Sequence, residues 1–197
     1  MSSHHIVREA QEPALFLYTT ATTLPSYIGE LLEWSPIVIC TENSLFAALQ
    51  NGIKVDVVIC PPLFVSTANA LTNHQQPIQI IPSNHTNPIA TLDYLLKKEH
   101  YAVNICTTTT INPADLLPLT DVLTIVVMDT EGNKSFWATP PYFTKWLPKN
   151  QQIQMTPMPL VIDEKLQLGE QNCWVVTQTG TITVALAEPC WITLKSL

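Results

Sequence analysis

Two hydrophobic patterns share this chain. In the first half, short unbroken apolar runs are separated by stretches whose apolar residues recur every three or four positions; in the last quarter, apolar and polar residues alternate. The first pattern belongs to strands buried on both faces and to amphipathic helices, the second to strands with one face covered. Residues 14–20 predict a strand. Residues 25–34 carry Ile28, Leu31, Leu32 and Trp34 at helical spacing until Pro36 stops the run, and residues 37–40 (IVIC) predict the next strand. Residues 42–51 predict a helix with Leu45, Phe46 and Leu49 on one face and Asn51-Gly52 as its stop signal, before a strand over 55–60. Residues 61–73 read as a loop with a short helix, and 78–81 as a strand. The strongest helix signal covers 87–99: Asn87 offers a cap, Pro88 takes the first position, Ile89, Leu92, Leu95 and Leu96 share a face, and Lys97 and Lys98 close it. A buried strand over 103–106 follows.

Beyond it, the segments 122–128 and 134–138 flank Asp129-Thr-Glu-Gly-Asn, the signature of a β-hairpin with a five-residue loop. From 139 to 159 the text turns to proline, aromatic residues and glutamine, which reads as a crossover between domains. Residues 161–197 alternate, with Gly169 and Gly180 at turns, and predict an all-β ending. The expected fold is therefore an α/β domain over residues 1–140, with a mostly parallel sheet and helices on both faces. A linker and a smaller all-β sandwich domain over residues 141–197 complete it.

Composition narrows the function classes. A formal charge of -7, with 9 Lys and Arg in 197 residues, supplies no phosphate-neutralising surface, so nucleic acid and anionic membrane are not expected partners. The apolar stretch over 13–24 is short and interrupted by threonines, unlike a signal peptide or a membrane span. Five cysteines without any C-x-x-C pair point to reduced thiols and a cytoplasmic setting. Glycine is scarce, 5 of 197, and neither G-x-G-x-x-G nor a Walker A loop occurs, so the usual phosphate cradles are absent. No serine sits in a G-x-S-x-G elbow, which sets a hydrolase triad aside.

Cys40, Cys60 and Cys106 each end a predicted buried strand. Three sulfurs at one crevice edge suit a soft metal, but cysteine is also a small buried hydrophobe, and packing is the favoured reading. Asn87 likewise has a local explanation, since a helix opening on Asn-Pro needs a side-chain oxygen for its free N–H groups.

Residues 182–196, ITVALAEPCWITLKS, resemble the carboxyl end of the thiamine pyrophosphokinases, where a strand of Val and Thr runs through an acidic turn with Pro into a Leu-Trp-Thr strand. The resemblance implies that Trp191 stacks on a thiamine ring; core packing is the alternative for a tryptophan on a strand. Thr177 and Gln178 stand near the place of a Ser-Asn pair that faces thiamine in the family. The resemblance also implies a homodimer. Elsewhere it carries losses. Thr41, Glu42 and Asn43 replace the family's Asp-Gly-Gly, and Cys60, Pro61, Pro62, Leu63 and Phe64 replace Gly-Asp-Phe-Asp-Ser. Ser83, Asn84, His85, Thr86 and Asn87 replace Lys-Asp-x-Thr-Asp with only the threonine kept, and residues 107–111 replace a Gly-rich Arg-x-Asp-His motif.

Magnesium prefers carboxylates and phosphate oxygens, and pyrophosphoryl transfer relies on that cation to stabilise the transferred charge. Losing one such contact costs ~3 kcal/mol, about a hundredfold in rate. The expectation is therefore a degenerate site with little or no pyrophosphokinase activity, no assigned catalytic residue and no metal ligand. Trp191, Thr177, Gln178, Asn43, Thr86 and Asn87 remain as candidate contacts to a thiamine-like small molecule. If the family's activity persists, its substrates are thiamine and ATP with Mg, and displaced carboxylates such as Glu42, Asp56 or Asp129 serve it. A non-catalytic, partner-binding protein is the third possibility.

Overall fold

The computed structural model describes residues 12–84 and 88–197, and the chain divides into two units, Met1–Thr124 and Ile125–Leu197. The boundary falls ahead of the expected one at residue 140. The hairpin around Asp129 explains this: its second strand pairs with the last strand of the chain, so both belong to the second unit.

In the first unit the apolar runs become β1 (Ala14–Tyr18), β2 (Val38–Thr41), β3 (Val57–Cys60), β4 (Gln79–Pro82) and β5 (Ala102–Thr107). They pair in parallel in the order β5-β1-β2-β3-β4. β1, β2 and β3 are buried along nearly their whole length, as unbroken apolar text requires, whereas β4 is partly exposed. The helices are α1 (Ile28–Leu32), α2 (Glu42–Gln50), α3 (Val65–Thr72), α4 (Pro88–Lys97) and α5 (Pro113–Leu116). α2 packs on β1, β2 and β3, and α3 on β4. The first unit is thus α/β with a parallel sheet.

Several local expectations change. α1 is shorter than the run over 25–34, buries only Ile28, and leaves Trp34 67% exposed. Phe46 points out of α2, because Ala47 and Ala48 fill the buried face beside Leu45. The loop over 61–73 is mostly helical, a 3-10 turn Pro62–Phe64 leading into α3. Asn87, with His85 and Thr86, lies outside the described residues, and α4 begins at Pro88.

The second unit contains β6 (Thr124–Met128), β7 (Lys134–Ala138), β8 (Tyr142–Leu147), β9 (Gln152–Thr156), β10 (Leu166–Leu168), β11 (Cys173–Val176), β12 (Gly180–Ala185) and β13 (Cys190–Leu194). One sheet runs β10-β11-β9-β13-β7-β6 with antiparallel pairs, and β8 pairs with β12 in another. The proline-rich text over 139–159 is therefore not a crossover. Its Ile153 and Met155 alternate with polar residues and enter the core, and the prolines flank β8 and β9. Phe143, Leu147, Ile153, Met155, Val176, Ile182, Val184 and Ile192 form one apolar cluster to which both sheets contribute. The Asp129 hairpin forms with its five-residue loop, closed by Asp129 Oδ1 accepting from the Glu131 and Asn133 amides. Among the described residues no helix is long and apolar enough to cross a membrane.

Candidate functional site

The chain builds its parallel sheet outward from β1 to β4 and then returns to place β5 on the other side of β1. The gap between β1 and β5 is therefore the topological switch point, and the crevice beyond the carboxyl ends of these strands is where open α/β sheets bind ligands. Threonines line it. Thr19 and Thr108 share a hydrogen bond between their hydroxyls at 2.8 Å, and Thr19 Oγ1 also accepts from the Ala21 amide at 2.9 Å. Thr107 Oγ1 donates to the Thr109 carbonyl at 2.8 Å and accepts from the Thr109 amide at 2.9 Å. Leu24, Pro25, Tyr27 and Ile28 close in from the segment after β1, against Leu17 and Cys106. The hollow left among them is about 10 Å³. That is roughly the room one water needs, far from that of a phosphate chain.

At the end of β2 the same self-satisfaction recurs. The Thr41 amide donates to Ser44 Oγ at 3.0 Å, and Ser44 Oγ donates to the Leu17 carbonyl at 2.6 Å. Glu42 follows, in the first turn of α2, where the helix dipole favours a negative charge. One of its carboxylate oxygens, Oε2, is shielded from solvent and has no hydrogen-bond partner. Its charge, together with burial, raises the pKa of the Cys60 thiol, burial being the larger cause. Asn43, the next residue, is exposed. The segments after β3 and β4 bring Pro61 and Pro62, then Ser83 and Asn84, so they add no carboxylate. Among the described residues, no group of three His, Cys, Asp or Glu side chains is placed to hold a metal ion.

Cys40 and Cys106 both register with Leu17, one on each side of it, so a whole strand separates them, roughly 10 Å at the usual ~4.8 Å spacing. Burial pushes both thiols up to about 12, with hydrogen bonds from Ser44 and Tyr27 opposing it. Neutral thiols among Leu and Ile side chains act as small apolar residues.

Trp191 occupies the outward face of the larger sheet in the second unit. Its neighbours along β13, Cys190 and Ile192, point into the core, while Trp191 stands half-buried opposite Trp137 of β7 and Thr156 of β9. The two indoles meet edge to face, with ring centroids 5.4 Å apart and planes at 63°. Thr193 and Ser135 continue the row and share a hydrogen bond at 2.8 Å. Trp191 is thus neither core nor free, and one side of it is taken by a second tryptophan.

Thr177 and Gln178 do not join it. Thr156 lies opposite Trp191, Gln154 lies opposite Cys173, and Thr177 is four residues beyond Cys173 in the other direction along the sheet. The separation is on the order of 20 Å at ~3.4 Å per residue. Thr177 instead pins a turn, its amide and hydroxyl both bonding the Lys165 carbonyl. Trp34 and Trp146 are 67% and 62% exposed, and Trp174 packs on the β core. Sequence reasoning missed the Thr19–Thr108 bridge and the Trp137–Trp191 pair. The second had a signal, since Trp137 sits one residue before the end of a predicted hairpin strand.

No family model matches the sequence, and no curated protein matches it. Solved structures do. The chain is similar to thiamin pyrophosphokinase from Candida albicans, at 9% identity and a TM-score of 0.63 over 95% of this chain and 90% of that one. It is similar to thiamine pyrophosphokinase from Bacillus subtilis, at 13% identity and a TM-score of 0.59 over 93% and 98%. A protein from Lactobacillus plantarum matches at 12% identity and a TM-score of 0.63, also over 93% and 98%. At these identities the likeness is one of fold: the chain has a thiamine pyrophosphokinase-like fold along nearly its whole length.

Proposed function

We propose that this protein is a thiamine pyrophosphokinase-like binding protein whose nucleotide and magnesium site is degenerate. It binds a thiamine-like aromatic small molecule against Trp191 without efficient pyrophosphoryl transfer. The observation that carries the first part is the 10 Å³ hollow at the β1–β5 switch point, which the Thr19–Thr108 bridge and Tyr27 close against a triphosphate. The half-exposed Trp191 and Trp137 rings support the second part, because an aromatic ligand gains from stacking on a partly open indole. The same reading takes the second unit as the family's β-sandwich and the working form as a homodimer. Five free thiols fit a reducing compartment such as the cytoplasm.

Glu42 favours a second reading. A shielded carboxylate oxygen without a partner is costly unless a cation or proton meets it, so an active kinase would place its metal there. Two measurements separate the readings. Calorimetric titration with thiamine, on the wild type and on Trp191→Ala, gives binding that the variant weakens at least about tenfold if the proposal holds. Equal affinity in both removes the stacking role. Formation of AMP from ATP and thiamine, abolished by Glu42→Gln, establishes the kinase instead.

A further inference from the structure

A separate hollow of about 410 Å³ lies over the outward face of β9 and β11 in the second unit, within the size range of small-molecule sites. Cys173 and Val175 of β11 and Gln152 and Gln154 of β9 form its floor. Lys195, whose amide bonds the Gln152 carbonyl, borders it on the β13 side. Glu170 and Gln171 border it from the turn that leads into β11. That turn is held over the face by consecutive left-handed residues, Gln171 (φ 54°) and Asn172 (φ 56°), a conformation that costs non-glycine residues about 1 kcal/mol or more.

The lining has one anion, one cation and three primary amides, each amide both a donor and an acceptor. Glu170 and Lys195 make no ion pair with each other. They border the hollow from opposite sides of β9 and β11, with the amides between. An apolar ligand would find only Val175 and the Cys173 thiol among amides and charges, and a phosphate would meet Glu170. From this arrangement we infer that the hollow binds a dipeptide-sized zwitterion, its ammonium set on Glu170, its carboxylate on Lys195 and its amide on the glutamines. The site is independent of Trp191, which lies further along the same face.

Cys173 supplies the readout. It is the partly exposed thiol of the five, the others being buried, so iodoacetamide reports on this hollow. Alanyl-glutamine at ~10 mM is expected to slow alkylation of Cys173 about fivefold, as a millimolar ligand would. Glu170→Gln and Lys195→Gln are each expected to relieve the protection, and Trp191→Ala to leave it intact. The same dipeptide acetylated and amidated at its ends is expected to protect poorly. Absence of protection, equal protection by the blocked dipeptide, or protection that survives both charge variants would overturn the proposal. Loss of protection in Trp191→Ala would do so too, by moving the ligand to the tryptophans.

Discussion

At the ends of β1 and β5, threonine hydroxyls face one another; on the outward face of β9, β11 and β13, Gln152 and Gln154 are exposed and Trp191 is half-buried. Both regions are polar in sequence, yet the first leaves about 10 Å³ and the second about 410 Å³. What separates them is where the hydrogen bonds go. Thr19, Thr107 and Ser44 are satisfied within the fold and tighten it, whereas Gln152 and Gln154 are exposed, the Gln152 side chain meeting only the Cys173 thiol at 3.9 Å. A polar cluster marks a site only when its groups are left unpaired by the protein itself.

Substitutions test that contrast by their cost. Leu17, fully buried between Cys40 and Cys106, is the keystone of the closed region, and Leu17→Ala is expected to lower unfolding free energy by about 2–5 kcal/mol in urea titration. Thr19→Val leaves Thr108 and the Ala21 amide without their partner and is expected to cost about 1–3 kcal/mol. The control is Thr193→Val, which breaks the chemically similar Ser135–Thr193 pair on the open face. There a gap of under about 1 kcal/mol is expected, because water replaces the lost bond. Equal costs for the two threonines would erase the distinction between the regions.

A pH titration of stability sharpens it further. His100 is 2% exposed, and burial lowers its pKa below the ordinary value, so the folded state favours the neutral ring. Its contribution is fully present above the unfolded value of about 6.5 and is lost as pH falls through the lower folded value. Melting temperature is expected to drop through that window in the wild type and to drop less in His100→Gln. Trp191→Ala is expected to cost less than Leu17→Ala: it loses the buried part of a half-buried ring and an edge-to-face contact with Trp137 worth about 0.5–1.5 kcal/mol. A loss as large as that of Leu17→Ala would make Trp191 a core residue.

The parallel half was legible because strands covered on both faces must be written as apolar runs, and IVIC and VVIC are unbroken, while VNIC is interrupted only by the partly exposed Asn104. The segment over 139–159 misled because five prolines and Trp146 mask the two-residue period of Ile153 and Met155. Phe46 misled in the other direction, since a large side chain outranks Ala47 and Ala48 in any pattern count although only the small pair fits against β2. For the site, the departures from the family's motifs were readable residue by residue. The threonine bridge was not. Thr19 and Thr108 are 89 positions apart, and only the return of β5 to the side of β1 makes them neighbours. Thr177 and Gln178 were grouped with Trp191 through the resemblance to a family Ser-Asn pair, and sheet register sets Thr177 about six residues along the sheet from Trp191.

The proposal that matters most is that the switch-point crevice does not admit a nucleotide. Titrating the protein with ATP and magnesium in a calorimeter addresses it without assuming any activity. No saturable heat is expected up to ~1 mM nucleotide, the weak end of useful affinities. Saturable one-site binding in the micromolar range, lost when Thr19 and Tyr27 are replaced by bulkier side chains, would contradict it.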